Sequence, residues 1–260
     1  MTNAEVTHRP DPLARMPARL APASPFRAPR ARVRHGAVAA GLAVFVLVAL
    51  DVHFGGRLTV LDRAVGQVVY ARLEPATRAL FADVVSFPGD DAVLLAVLAV
   101  GASALAGLGR WRTGLLLAAS GLLAMGAVWT LKSFFAAERP SGFFDVTATV
   151  LPHLSFPSGH TTNTTIVYGL LAYLLTYAYV SRGGRPERGT RIFVLVGWLL
   201  VAFAMGLARV LGGVHWPTDV VAGWALAAAW LGASVTVHER WVRPFEQLAQ
   251  GRRPSNEHIH

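Results

Sequence analysis

Long apolar runs separated by short polar connectors set the pattern of this chain. Six stretches carry no charged side chain: His35–Leu50, Ala92–Gly109, Thr113–Leu131, Thr161–Ser181, Ile192–Ala208 and Val220–Val237. A helix crossing a bilayer needs about 20 mainly apolar residues, and all six runs are at or just below that length. The first is extended around Asp51 by Val52, His53 and Phe54. The pattern predicts an all-α, polytopic membrane bundle of six transmembrane helices over residues 35–238. A re-entrant path is the other geometry open to the last two runs.

Between the first two runs, Gly55–Asp91 mixes apolar and charged residues. Leu61, Val65, Val68, Val69 and Leu73 recur there at helical spacing. Two readings stand: an amphipathic outer-surface segment lying along the membrane, or a solvated connector. Residues 1–34 are rich in proline and arginine, which predicts a disordered basic tail. They contain no apolar core of a cleavable leader, so the first run is expected to stay as an anchor. Residues 239–260 are expected to form a second polar tail.

Composition narrows the class. Of 260 residues, 53% are hydrophobic and 15% charged, against about 25% charged in a soluble domain. With no cysteine, disulfides, thiolate metal sites and cysteine nucleophiles are excluded. The net charge of +9 does not imply nucleic acid, because the basic residues lie between apolar segments rather than on a basic module. They follow the positive-inside tendency instead. With both termini in the cytoplasm, seventeen basic residues fall inside and seven outside. The outer seven include Lys132, Arg139 and Arg209, which therefore call for a function.

Three polar clusters fall at the outer ends of the predicted spans. The first is Lys132 with Arg139, seven residues apart and so two turns along one face of a continued helix. An interfacial snorkelling lysine is the alternative for Lys132, but two converging outer cations suggest a bound anion. The second is Pro157-Ser158-Gly159-His160. Ser158 is placed to cap the following helix, whose free N–H groups attract phosphate, and His160 at the edge can donate a proton. The polar run Thr161–Thr165 lines the site or satisfies itself within the bundle. The third cluster is Arg209, His215 and Asp219. Pro217 suits a helix start, and Asp219 in its first turn can reach back to His215. A carboxylate on one ring nitrogen leaves the other free to attack, whereas an acidic first turn also simply complements the helix dipole. Arg209 can grip two phosphate oxygens.

Lys132–x6–Arg139-Pro140, Pro157-Ser158-Gly159-His160 and Arg209–x5–His215–x3–Asp219 together resemble the three-part signature of the type 2 phosphatidic-acid phosphatase superfamily, in spacing and in order. One departure is Ala208, where the third block usually opens with serine. The resemblance implies a membrane phosphatase acting on a lipid phosphate monoester or pyrophosphate, such as undecaprenyl pyrophosphate, phosphatidylglycerol phosphate or phosphatidic acid. It implies His215 as nucleophile, Asp219 as its orienting group and His160 as general acid. Lys132, Arg139, Ser158, Gly159 and Arg209 would hold phosphate, through a phosphohistidine and with no metal or other cofactor. Soluble vanadium haloperoxidases resemble the same constellation, but the apolar spans argue against them. A non-catalytic protein that binds or transports phospholipid headgroups would need the cations without the two histidines and Asp219.

Overall fold

In the computed structural model, which describes residues 29, 31–140 and 154–249, five of the six uncharged runs lie within longer helices. These are α1 (Ala31–Phe54), α5 (Trp111–Phe135), α6 (Gly159–Ser181), α7 (Arg188–Leu211) and α8 (Pro217–Val237). Between them lie α2 (Arg57–Arg72), the short α3 (Pro75–Ala79) and α4 (Asp91–Gly107), and α9 (Arg243–Ala249) follows α8. Uncharged runs understate helix length because charged residues sit at the ends: Lys132 closes α5, and Arg188 and Arg209 open and close α7. Among the described residues five helices are long and apolar enough to cross a membrane: α1, α5, α6, α7 and α8 continued to Ala249. The sixth run becomes α4, an apolar helix of 17 residues, about 25 Å long at 1.5 Å per residue. The expectations for residues 1–28, 30 and 250–260 lie outside the described residues.

Large apolar side chains such as Leu47, Val100, Phe193 and Leu200 face outward, whereas the run Thr161–Thr165 is buried inside the bundle. Such an arrangement suits a hydrocarbon surround, in which helices associate through close packing of small residues rather than through water exclusion. The contact of α1 with α8 is built that way. A Cβ on Gly41 would lie 2.5 Å from the Ala225 carbonyl oxygen, and one on Gly232 would lie 2.8 Å from Val38.

The segment after α1 folds back onto the bundle. Asp51, in the last turn of α1, accepts from the Leu58 N–H at 3.0 Å and so starts α2. The buried positions of α2 are Asp62, Gly66 and Val69, while Leu61 and Val68 are exposed. Asp62 accepts from the Thr218 N–H at 3.0 Å and from the Thr218 hydroxyl at 2.5 Å. A helix start leaves such N–H groups without partners, and here a carboxylate 156 residues away in the chain supplies one. The chain then passes through a π-helical turn (Leu80–Val85) and a 3-10 turn (Phe87–Gly89) into α4.

At the opposite end of the bundle, Glu246 of α9 is buried. It pairs with Arg110 Nη1 at 3.0 Å and accepts from the Thr113 N–H and hydroxyl at 3.0 and 2.8 Å. Arg110 also donates to the Tyr177 hydroxyl at 2.9 Å. The last helix is thereby fastened to the start of α5 and the end of α6.

Candidate active site

The site is assembled where α5 ends and α6 and α8 begin. The expected continued helix from Lys132 to Arg139 does not form. It stops at Phe135, and Ala136 takes a left-handed conformation (φ 46°) whose N–H caps the Lys132 carbonyl. The two cations converge by another route. Lys132 Nζ donates to the carbonyls of Leu154 and Ser155 at 3.0 and 2.7 Å, and Arg139 Nε donates to the same Leu154 carbonyl at 3.3 Å. Arg139 Nη1 also reaches the Val214 carbonyl at 3.5 Å, one residue before His215.

These bonds pin the segment entering α6. Phe156 is buried, its ring 4.9 Å from Phe135 and 5.8 Å from Phe45. Ser158 caps α6, accepting from the Thr161 N–H at 3.4 Å and the Thr161 hydroxyl at 2.9 Å. Its own N–H donates to the Asp219 carbonyl at 3.1 Å, which joins the second and third blocks. A Cβ on Gly159 would lie 3.8 Å from Lys132 Cε, so the lysine passes close to this helix start.

The third block folds around a turn after α7. Gly213 adopts φ 69°, and the N–H groups of Val214 and His215 both return to the Arg209 carbonyl, at 3.2 and 3.1 Å. A left-handed turn of this kind favours glycine. It sets His215 beside Pro217, the first residue of α8, and Asp219 one turn inside. His215 Nδ1 lies 3.0 Å from Asp219 Oδ2. Against a carboxylate that nitrogen carries the proton, so the lone pair resides on Nε2. Asp219 also accepts from the Trp216 N–H at 2.9 Å and from the Ser155 hydroxyl, which stands 3.3 Å from His215 Nδ1 as well. The carboxylate is thus held by three donors, and both members of the pair are 1% exposed. Burial, and then the positive charges of Arg139, Lys132 and Arg209, push the His215 imidazole well below its ordinary pKa.

Arg209 is buried and donates Nη1 to the Ala82 carbonyl at 2.8 Å. Its Nε is buried without a hydrogen-bond partner among the described residues. Among those residues none of Lys132, Arg139 and Arg209 is ion-paired with a carboxylate. Backbone carbonyls aim the three cations without neutralising them, an arrangement suited to an anion. His160, in the first turn of α6, is half-buried, with Nε2 2.9 Å from Asp90 Oδ1. Ala208 is buried in α7.

All eight residues expected from the sequence therefore lie at this end of the bundle. Sequence reasoning missed Ser155, Asp90 and the backbone of Glu138. The Glu138 carbonyl takes the Trp216 indole N–H at 2.8 Å, and Glu138 forms an isolated bridge with Leu154. Ser155 stands three residues before Ser158 and was open to notice; Asp90 gave no local signal.

The family model of the PAP2 superfamily matches residues 109–243. A phosphatidylglycerophosphatase B of Bacillus subtilis is 35% identical over 74 residues, 28% of this chain and 33% of the relative. A decaprenylphosphoryl-5-phosphoribose phosphatase of Mycolicibacterium smegmatis is 36% identical over 124 residues, 47% of this chain and 58% of the relative. The chain thus spans between a third and somewhat over half of these relatives. The crystal structure of a transmembrane PAP2-type phosphatidylglycerolphosphate phosphatase from Bacillus subtilis superposes with a TM-score of 0.65 at 22% identity. That match covers 78% of this chain and 98% of the other.

Proposed function

The chain is an integral membrane protein of the PAP2 superfamily, and from that membership we propose that it hydrolyses a lipid phosphate monoester or pyrophosphate through a phosphohistidine on His215. The observation that carries this reading is the buried His215–Asp219 pair at 3.0 Å beside three cations aimed by carbonyl groups. A neutral imidazole with its lone pair on Nε2 is a nucleophile, and the cations suit the charge of a pentacoordinate phosphoryl group.

In the first half-reaction, Nε2 of His215 bonds to phosphorus as the bond from phosphorus to the leaving oxygen breaks. Protonated His160 gives that oxygen its proton. In the second half-reaction, water attacks the phosphohistidine, neutral His160 takes its proton, and the P–N bond breaks to release phosphate. Lys132, Arg139, Arg209, Ser158 and the Gly159 N–H hold the phosphoryl oxygens. These cations supply the charge stabilisation, so the reaction needs no metal.

Relatives named for glycerophospholipid and prenyl-linked substrates favour phosphatidylglycerol phosphate, undecaprenyl pyrophosphate or phosphatidic acid as the class. The arginine distribution supports both termini in the cytoplasm and the site on the outer face of a bacterial cytoplasmic membrane. In that topology α4 is the second of six spans, residues 35–238 are the catalytic domain and 1–34 a tail, while the tail expected over 239–260 gives way as far as Ala249 to the docked α9.

The test is phosphate release from these lipids in detergent with EDTA. Wild type should release phosphate, His215→Ala should be inactive, and orthovanadate should inhibit. Release that survives in His215→Ala would remove the nucleophile. Headgroup binding without release from any lipid would favour a carrier or scaffold instead.

A further inference from the structure

Asp90 precedes α4 and occupies the position from which an aspartate ordinarily accepts an N–H of its own helix. It does not do so: the side chain of this N-cap residue makes no capping hydrogen bond. Its carboxylate instead turns to His160, with Oδ1 2.9 Å from Nε2. The turn that delivers it is fastened to the helix that bears His160. Tyr168 of α6 donates its hydroxyl to the Pro88 carbonyl at 3.0 Å. Gly89 packs against α6 so closely that a Cβ there would lie 2.7 Å from Thr164 Oγ1. Asp90 is therefore held in register with His160 by contacts one and two turns further along the same helix.

We propose, building on the phosphatase reading above, that Asp90 is the positioning residue of the general acid. It accepts the Nε2–H of His160, fixes the ring, stabilises the imidazolium and leaves Nδ1–H to protonate the leaving oxygen. The chain then carries two histidine–carboxylate pairs of opposite character. His215 and Asp219 are each 1% exposed, which seals the nucleophile, whereas His160 is 25% and Asp90 48% exposed. The open pair belongs with the group that exchanges protons with the leaving group and with water. The other charged or titratable groups acting on His160 are Arg209 at the end of α7, Arg139 beyond α5 and His215 before α8. Among the described residues Asp90 is the carboxylate within hydrogen-bond reach of His160.

The test compares wild type, Asp90→Asn, Asp90→Glu, His160→Ala and His215→Ala on two probes, phosphatidic acid and 4-nitrophenyl phosphate. Departure of an alkoxide needs a proton, whereas departure of a nitrophenolate hardly does. A positioned acid contributes roughly 10²–10⁴-fold. Asp90→Asn should lose about 10-fold or more of kcat on phosphatidic acid within that range. It should change little the first-turnover burst of nitrophenolate, the one step on that probe that does not call on His160, and the basic limb of the pH–rate profile on phosphatidic acid should move to lower pH. Asp90→Glu should recover part of the loss. His160→Ala should spare the nitrophenolate burst likewise with a larger loss on phosphatidic acid, and His215→Ala should abolish both the burst and phosphate release. Equal losses of Asp90→Asn in the nitrophenolate burst and on phosphatidic acid, or an unchanged pH profile, would overturn the role of Asp90 while leaving the phosphatase reading intact. A wild type inactive on both probes, or an active His215→Ala, would overturn the phosphatase reading and this proposal with it.

Discussion

At the scale of single residues, the decisive feature is how many side chains at the site are held by hydrogen bonds. Asp219 receives the Ser155 hydroxyl, the Trp216 N–H and His215, so the first two donors constrain His215, the proposed nucleophile, at one remove. Ser155→Ala leaves a buried carboxylate one donor short, a loss of about 1–3 kcal/mol. It should lower kcat by roughly 10-fold at nearly constant KM, measured by phosphate release from the preferred lipid; an unchanged kcat would show the hydroxyl to be dispensable. His215 also makes a prediction for stability. Its folded-state pKa lies well below the ordinary value, so on acidification the unfolded chain binds the proton first. Stability is therefore fully present above about pH 6.5 and falls as pH drops below it. Thermal unfolding in detergent from pH 7.5 to 5 should show this decline, and His215→Gln should flatten it. The three blocks were legible in sequence because each is short and places its chemistry at fixed local spacing. Asp90 was not, because the 70 residues separating it from His160 leave no periodic trace.

At the scale of elements, reading by uncharged runs located the long helices but stopped short of their ends, where Lys132, Arg209 and Asp219 lie. The break after Phe135 was likewise hidden, since nothing in the local sequence marks Ala136 for a left-handed conformation. The segment after α1 was the least legible, because its buried stripe contains an aspartate and a glycine rather than a run of apolar residues. Asp62 has a definite role: it serves the start of α8, the helix that carries Asp219. Burial raises its pKa, and the two bonds from Thr218 partly restore the carboxylate. Asp62→Ala would leave the Thr218 N–H buried and unmatched, which costs about 1–3 kcal/mol. It should lower the thermal midpoint and weaken activity, whereas Asp62→Asn, which keeps an acceptor, should do less of both. Equal behaviour of the two variants in thermal unfolding would argue that α2 only lies beside α8.

At the scale of the whole molecule, polar groups gather at two ends of an apolar bundle. One end carries the candidate chemistry and the other the Arg110–Glu246 attachment. With the site outward, a cysteine introduced at Gly142 should react with impermeant reagents in intact cells; reaction only after lysis would reverse the orientation. The attachment also sets a rule for anyone shortening or tagging this chain. Glu246 touches Thr113 and Arg110, which Tyr177 also engages, so the final helix behaves as a buckle rather than as trailing sequence. A stop codon after Ala249 spares the described contacts of that buckle, whereas one after Val242 removes Glu246, the carboxylate paired with the buried Arg110. Purification handles therefore belong beyond residue 249, and a protease able to cut near Arg243 would turn a stable preparation into a fragile one.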